Sequence, residues 1–360
     1  MPTLFGTRYT RDELLRKVGR IEQVAGTRLY ELHDGSEKGV RAVDFDTGTG
    51  FRFAVLVDRG LDIGPATWNG RALAWRAPVG EVNPAFYEPA GLGWLRTFHG
   101  GLLATCGLAS AGSPSDEDGR HYGQHGRYST IPAKSVSMDA AWDGDEYRFW
   151  VKGRVQEAVI FGENLTLTRT ISSAAGANAL SIRDIVENTG YRPSPLMILY
   201  HMNFGFPLID DGTRLAAASS TVEPRDDIAK AGAREWHTFS GPVPGFKEQV
   251  FLHTMKPDAD GLAHAALINE HLDGGLGVHV SFNADALPTM AEWKMMGEQD
   301  YVVGLEPGNC FVEGRVVERK KRGLVELEPG QRVEHRLHVE VLTSANEIAA
   351  VCDTIKKITG

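Results

Sequence analysis

The chain has 360 residues, 42% of them hydrophobic and 24% charged, with a formal net charge of −9. That length and composition allow one very large core or two ordinary ones. Acidic and basic residues are interspersed throughout, which excludes the basic stripe expected of a nucleic-acid groove. No apolar stretch approaches bilayer length. Met1–Tyr9 has no basic run followed by an apolar one, so no secretory leader is expected. Three scattered cysteines, Cys106, Cys310 and Cys352, show no C-x-x-C spacing. Reduced thiols in a cytoplasmic protein are the expectation.

In chain order, the first predicted element is a helix over Thr10–Val24, with Leu14, Leu15 and Val18 on one face and Thr10 and Glu13 forming a capping box. It belongs to a covering segment over residues 1–30. Strand-like runs follow at Val40–Phe45, Phe51–Val57, Tyr147–Val155, Leu165–Ile171, Ala179–Val186, Leu276–Phe282 and Val333–Val341. In the last of these, polar and apolar residues alternate as in a strand with one wet face. Most of the 41 glycines and 17 prolines fall between the runs, which favours a sandwich or barrel over βαβ units. The final element is a helix over residues 344–360, with Ile348, Val351, Ile355 and Ile358 at helical spacing. With no interior linker and no fixed-period repeat, one large β-domain over residues 1–360 is the simplest organisation.

Four segments concentrate polar groups beside glycines and aromatics. Asp58-Arg59-Gly60-Leu61-Asp62 ends an apolar strand, where a salt-bridged turn is the plain alternative to a site. The second segment runs from His99 through Cys106 to His121, His125 and Arg127. Its glycines suggest backbone pressed close to a ligand, while its histidine spacing matches no familiar zinc pattern. In the third, His201 and Asn203 are two apart on an extended stretch and project to the same face, among aromatics able to stack on a sugar. In the fourth, Glu306 ends an apolar strand before Pro307-Gly308-Asn309, at a rim where partial desolvation would raise its pKa towards that of a general base.

As an ordered set these segments resemble the aldose 1-epimerase (galactose mutarotase-like) superfamily, particularly its uncharacterised epimerase-like branch. Gln124-His125-Gly126-Arg127 is similar to the family's Leu-His-Gly motif, His201 falls at the family's second histidine, and Gly304-Leu305-Glu306 at its glutamate strand. The resemblance implies an all-β fold, a large antiparallel β-super-sandwich with short terminal helices. It implies an isomerase interconverting sugar anomers with no cofactor, Glu306 as base and His201 as acid. It further implies His125 and Glu248 as substrate-binding residues, Glu248 standing where aspartate is usual. The family's Asn-Arg pair has no clean counterpart here; Arg59, Asp62 and His99 are expected to line the cleft instead, with Arg127, Asn203 and Asn309 beside them. Lys294, next to Trp293, would suit an acidic, oxidised or phosphorylated sugar.

Two competing functions stay open at this point. One is an isomerase, epimerase or lyase acting beside a carbonyl, with a metal on His99, His121 or His125. The other is a non-catalytic sugar-binding protein. The expected partner is a small-molecule sugar or sugar derivative, with no nucleic acid and no membrane, and a homodimer is the assembly to test.

Overall fold

A computed structural model describes all residues, 1–360. Its sheet with the most strands is eight-stranded and antiparallel, ordered 134–143, 146–158, 164–174, 179–188, 332–342, 276–283, 262–269 and 214–217. Here the sequence alternates: strand Glu146–Ala158, and strand Asn164–Ala174 as far as Ile171, bury every second residue. One face packs inward and the other meets water, as period-two patterning requires.

A seven-stranded sheet faces it. Strands 219–224, 249–255, 289–296, 301–308 and 194–205 lie in that order, and the last also pairs with 104–108 and 325–327. Strands Ser194–Gly205 and Tyr301–Gly308 are buried along nearly their whole length on both faces. Alternation vanishes there because one face packs on the first sheet while the other lies under a long segment, residues 73–103. A five-stranded N-terminal sheet, 26–31, 41–46, 51–56, 62–68 and 71–72, completes the architecture. One apolar cluster, including Phe45, Phe149, Phe204 and Phe282, draws side chains from all three sheets.

The expected strands are all present, each extended or trimmed by one to three residues at its ends. The C-terminal helix spans Ala345–Thr359, capped by Ser344 and packed through Ile348, Cys352 and Ile355. The N-terminal expectation needs correction. The capping box of Thr10 and Glu13 forms, but the helix covers only Arg11–Leu15, followed by a 3₁₀ turn at Ile21–Gln23. Only Leu14 of that helix is buried, and Gly19 lies in its expected continuation, so too little packing sustains a longer one. Residues 26–30 are not cover but part of the first strand of the N-terminal sheet. Short helices at Asp227–Ala231 and Arg315–Lys321 were not anticipated. No helix is long and apolar enough to cross a membrane.

Candidate active site

The site forms on the covered face of the seven-stranded sheet. Strands 194–205 and 301–308 pair so that Met202 opposes Leu305 and Asn203 opposes Gly304. The same register sets His201 across from Glu306 and turns both towards residues 73–103. His201 Nε2 lies 3.2 Å from Glu306 Oε1. The room for this contact comes from Gly304: a Cβ there would sit 2.8 Å from Glu306 Oε1, 3.0 Å from Trp293 Cβ and 3.4 Å from His201 Cε1.

Aromatic rings enclose the pair. His201 is bordered by Phe98 at 5.2 Å, Trp293 at 5.4 Å and His125 at 5.5 Å between ring centroids. Trp94 stacks on Phe98 at 4.4 Å and touches His125 at 4.6 Å, and Trp75 closes against Phe98 and Trp293. Exposure falls to 4% for His201 and 2% for Glu306. Inside this cage His201 Nδ1, His125 Nδ1 and Glu306 Oε2 have no hydrogen-bond partner. Buried polar atoms are nearly always paired, so three orphans side by side mark a place where a polar ligand or water belongs.

Burial dominates the electrostatics. It raises the Glu306 carboxyl from 4.5 to about 8, helped by the Glu248 charge and opposed by Arg225. His201 is pushed well below its ordinary 6.5, first by burial and then by the neighbouring His125. His125 falls to about 4 and His99 to about 3, chiefly for the same reason. At neutral pH the two groups therefore lie 3.2 Å apart as a protonated carboxyl and a neutral ring rather than as an ion pair. One proton serves two groups.

Several expected cleft residues act elsewhere. Arg59 is wholly buried and donates to the carbonyls of Ser129 (2.7 Å), Thr97 (2.7 Å) and Val82. It braces the covering segment from beneath, with all three of its nitrogens bound to main-chain carbonyls. Asp62 accepts from the Thr105 amide (2.9 Å) and hydroxyl (2.6 Å) and pairs with Arg169 (2.8 Å), inside the sandwich. Asn309 bridges strands, accepting from the Ile198 amide and donating to the Leu196 carbonyl. Arg127 is exposed and joins no ion pair. Lys294 faces away from Trp293, as strand alternation demands, and its ammonium donates to the carbonyls of Glu235 and Thr238, each at 2.7 Å. An acidic group on a substrate could not reach it.

The others stay near the pair. Asn203 shares its face, but its amide ties Gly100 and Gly101 of the covering segment to the strand. His99 lies buried in that segment with Nε2 near the Leu103 carbonyl. Glu248 is at the edge of the cage, held by Arg225 (3.0 Å) and the Trp293 indole N–H (2.9 Å). His121 is exposed and bound to Asp116, and no three His, Cys, Asp or Glu side chains are grouped so as to hold a metal ion. Trp75 and Trp94, and the part Gly304 plays in making room for the pair, escaped the sequence reading. Trp94 and Phe98, flanking the stretch that leads to His99, were the available signal. An open groove of about 1010 Å³ lies instead on the N-terminal sheet, lined by residues from Gly19 to Thr67. It contains none of these residues, and none of its side chains is a buried unpaired polar group.

Comparison with known proteins agrees with this architecture. Residues 37–341 match the family described as Domain of unknown function (DUF4432), and the chain belongs to it. No curated protein matches the sequence. A solved structure from Klebsiella pneumoniae subsp. pneumoniae, provisionally described as an aldose 1-epimerase, shares 30% identity over 98% of this chain and 91% of its own, with a TM-score of 0.89. A galactose mutarotase-like protein from Clostridium acetobutylicum (12% identity, 89% and 99% coverage, TM-score 0.61) has the same fold. So has a galactose 1-epimerase from Lactobacillus acidophilus (12% identity, 89% and 99% coverage, TM-score 0.56). The fold is the galactose mutarotase-like sandwich.

Proposed function

We propose that this member of the family is an aldose 1-epimerase, interconverting the anomers of a neutral sugar with His201 and Glu306. The observation that carries the reading is the set of orphaned atoms. His201 Nδ1, His125 Nδ1 and Glu306 Oε2 are buried, unpaired and framed by aromatic rings able to stack on a pyranose. Similarity to the provisionally assigned Klebsiella protein supports it. With Lys294 turned away and Arg225 held by Asp226 and Glu248, neither of these cations is free to meet a charged substituent, which favours an uncharged substrate.

Ring opening needs one group to take the O1 proton while another protonates the ring oxygen. One proton on two sites meets that need. Because the resting proton sits on Glu306, the carboxyl acts first as acid on the ring oxygen and neutral His201 as base on O1. This reverses the roles that the resemblance implies. Rotation about C1–C2 follows; on closure the Glu306 carboxylate takes its proton back from the ring-oxygen hydroxyl as that oxygen attacks C1, and protonated His201 gives its proton to O1, so the pair ends as it began. His125 would orient a hydroxyl.

The test is exchange between α and β anomers, followed by NMR for a panel of neutral, acidic and phosphorylated aldoses. Acceleration that disappears in Glu306→Gln is expected for neutral sugars. No acceleration of any ring-opening sugar would overturn the proposal.

A further inference from the structure

The connection between strands 219–224 and 249–255 leaves the sheet at Arg225 and returns at Glu248, and its two ends are joined. Arg225 Nη2 donates to Glu248 Oε1 at 3.0 Å, and Arg225 Nε donates to Asp226 Oδ2 at 2.9 Å. The second Glu248 oxygen accepts from the Trp293 indole N–H at 2.9 Å. Trp293 meets the His201 ring edge-on at 76°, and its Cβ borders the same space over Gly304 that Glu306 Oε1 and His201 Cε1 border. A directional chain thus runs from guanidinium to carboxylate to indole to imidazole. Behind the sheet, Lys294 pins the body of the connection through two carbonyls, so consecutive residues of one strand hold its base and its middle.

These contacts engage each Glu248 oxygen once, and they give Arg225 a task no part of the proposed reaction yet explains. We propose that Arg225 is a positioning residue for the His201–Glu306 pair, acting through Glu248 and the Trp293 indole. The inference rests on the reading of that pair as catalytic. Around the pair, Glu306 is faced by His201 from the adjoining strand, Cys106 from strand 104–108, and Glu248 and Arg225 from the connection, while His125 from the loop meets the His201 ring. Among these Arg225 is the one permanent cation. Its loss frees Glu248 to move and leaves an uncompensated negative charge beside the carboxyl.

The experiment follows the His201 ring by NMR in ¹⁵N-histidine-labelled protein, across pH 5 to 10, alongside anomer exchange. Arg225→Gln is expected to move the midpoint that His201 reports upward by about half to one pH unit. It should lower kcat about tenfold, with KM altered less than about twofold. Arg225→Lys should recover most of the rate. Trp293→Phe keeps an aromatic ring without the N–H, so it should reproduce the rate loss and displace the His201 ring signals. Arg183→Gln, at an exposed pair with Glu334, should match wild type. A His201 titration in Arg225→Gln superimposable on wild type overturns the inference. Should Arg225→Gln fail to fold, unchanged His201 signals in Trp293→Phe overturn it equally. If wild type accelerates no sugar, the functional reading fails, while the titration still decides this one.

Discussion

Replacing Glu306 by Gln removes a titrating proton from a sealed site, and its consequence is measurable as stability, independent of any substrate. In the folded chain the carboxyl holds its proton to about pH 8, because burial disfavours the carboxylate; unfolded, it would release it near 4.5. The folded state binds the proton more tightly. The stability this group contributes is therefore complete below about 4.5 and is lost as pH rises through about 8. At roughly 1.4 kcal/mol per pH unit, the whole span amounts to about 5 kcal/mol. Glutamine has nearly the same shape and stays neutral in both states, so it lacks this slope. His201, whose proton affinity is depressed, contributes in the other direction: its stability is present above 6.5 and is lost on acidification. It remains in both proteins, so the difference between them isolates Glu306. Urea denaturation at intervals from pH 5 to 9 should show wild type losing about 4 kcal/mol relative to Glu306→Gln between pH 5 and 8, then little more. A difference constant to within about 0.5 kcal/mol across that range would refute the argument. Glu306 would then ionise as an ordinary carboxylate, and it could not begin the reaction as the acid.

Three further outcomes are expected. Anomer exchange should be level around neutrality, fall above about pH 8 as Glu306 loses its proton, and fall in acid as His201 gains one; a rate that rises steadily through pH 9 contradicts this. Gly304→Ala would force its Cβ within 2.8 Å of Glu306 Oε1, so exchange should drop at least about a hundredfold for about 1–3 kcal/mol of stability, read by thermal unfolding. Arg169→Leu would strand Asp62 and Asp184, both fully buried and paired to that guanidinium, beneath the His201 strand. A loss of about 3–5 kcal/mol by chemical denaturation is expected, and a loss below about 1 kcal/mol would show that the carboxylates find other partners.

What the amino-acid sequence determined by itself was set by local forces. Alternation along Glu146–Ala158 and Arg332–Leu342, glycine and proline between the runs, and the caps at Thr10 and Ser344 each act within a few residues, and each was legible. The ordered His125, His201 and Glu306 were legible through resemblance, and two of them do meet, at 3.2 Å. The remaining assignments were decided by tertiary structure, because the role of a polar side chain depends on what the fold sets opposite it. Arg59, Asp62 and Asn309 look like cleft residues in the chain; only packing shows their hydrogen-bonding capacity spent on carbonyls, amides and a buried guanidinium. Lys294 and Trp293 are neighbours in sequence, yet strand geometry sends them to opposite faces. The proton inventory of the pair belongs to the same class, since burial is the main cause that moves Glu306 to about 8. That burial is produced by Trp75, Trp94 and Phe98, contributed by a segment about a hundred residues away or more, and no local pattern encodes an environment assembled at such a distance.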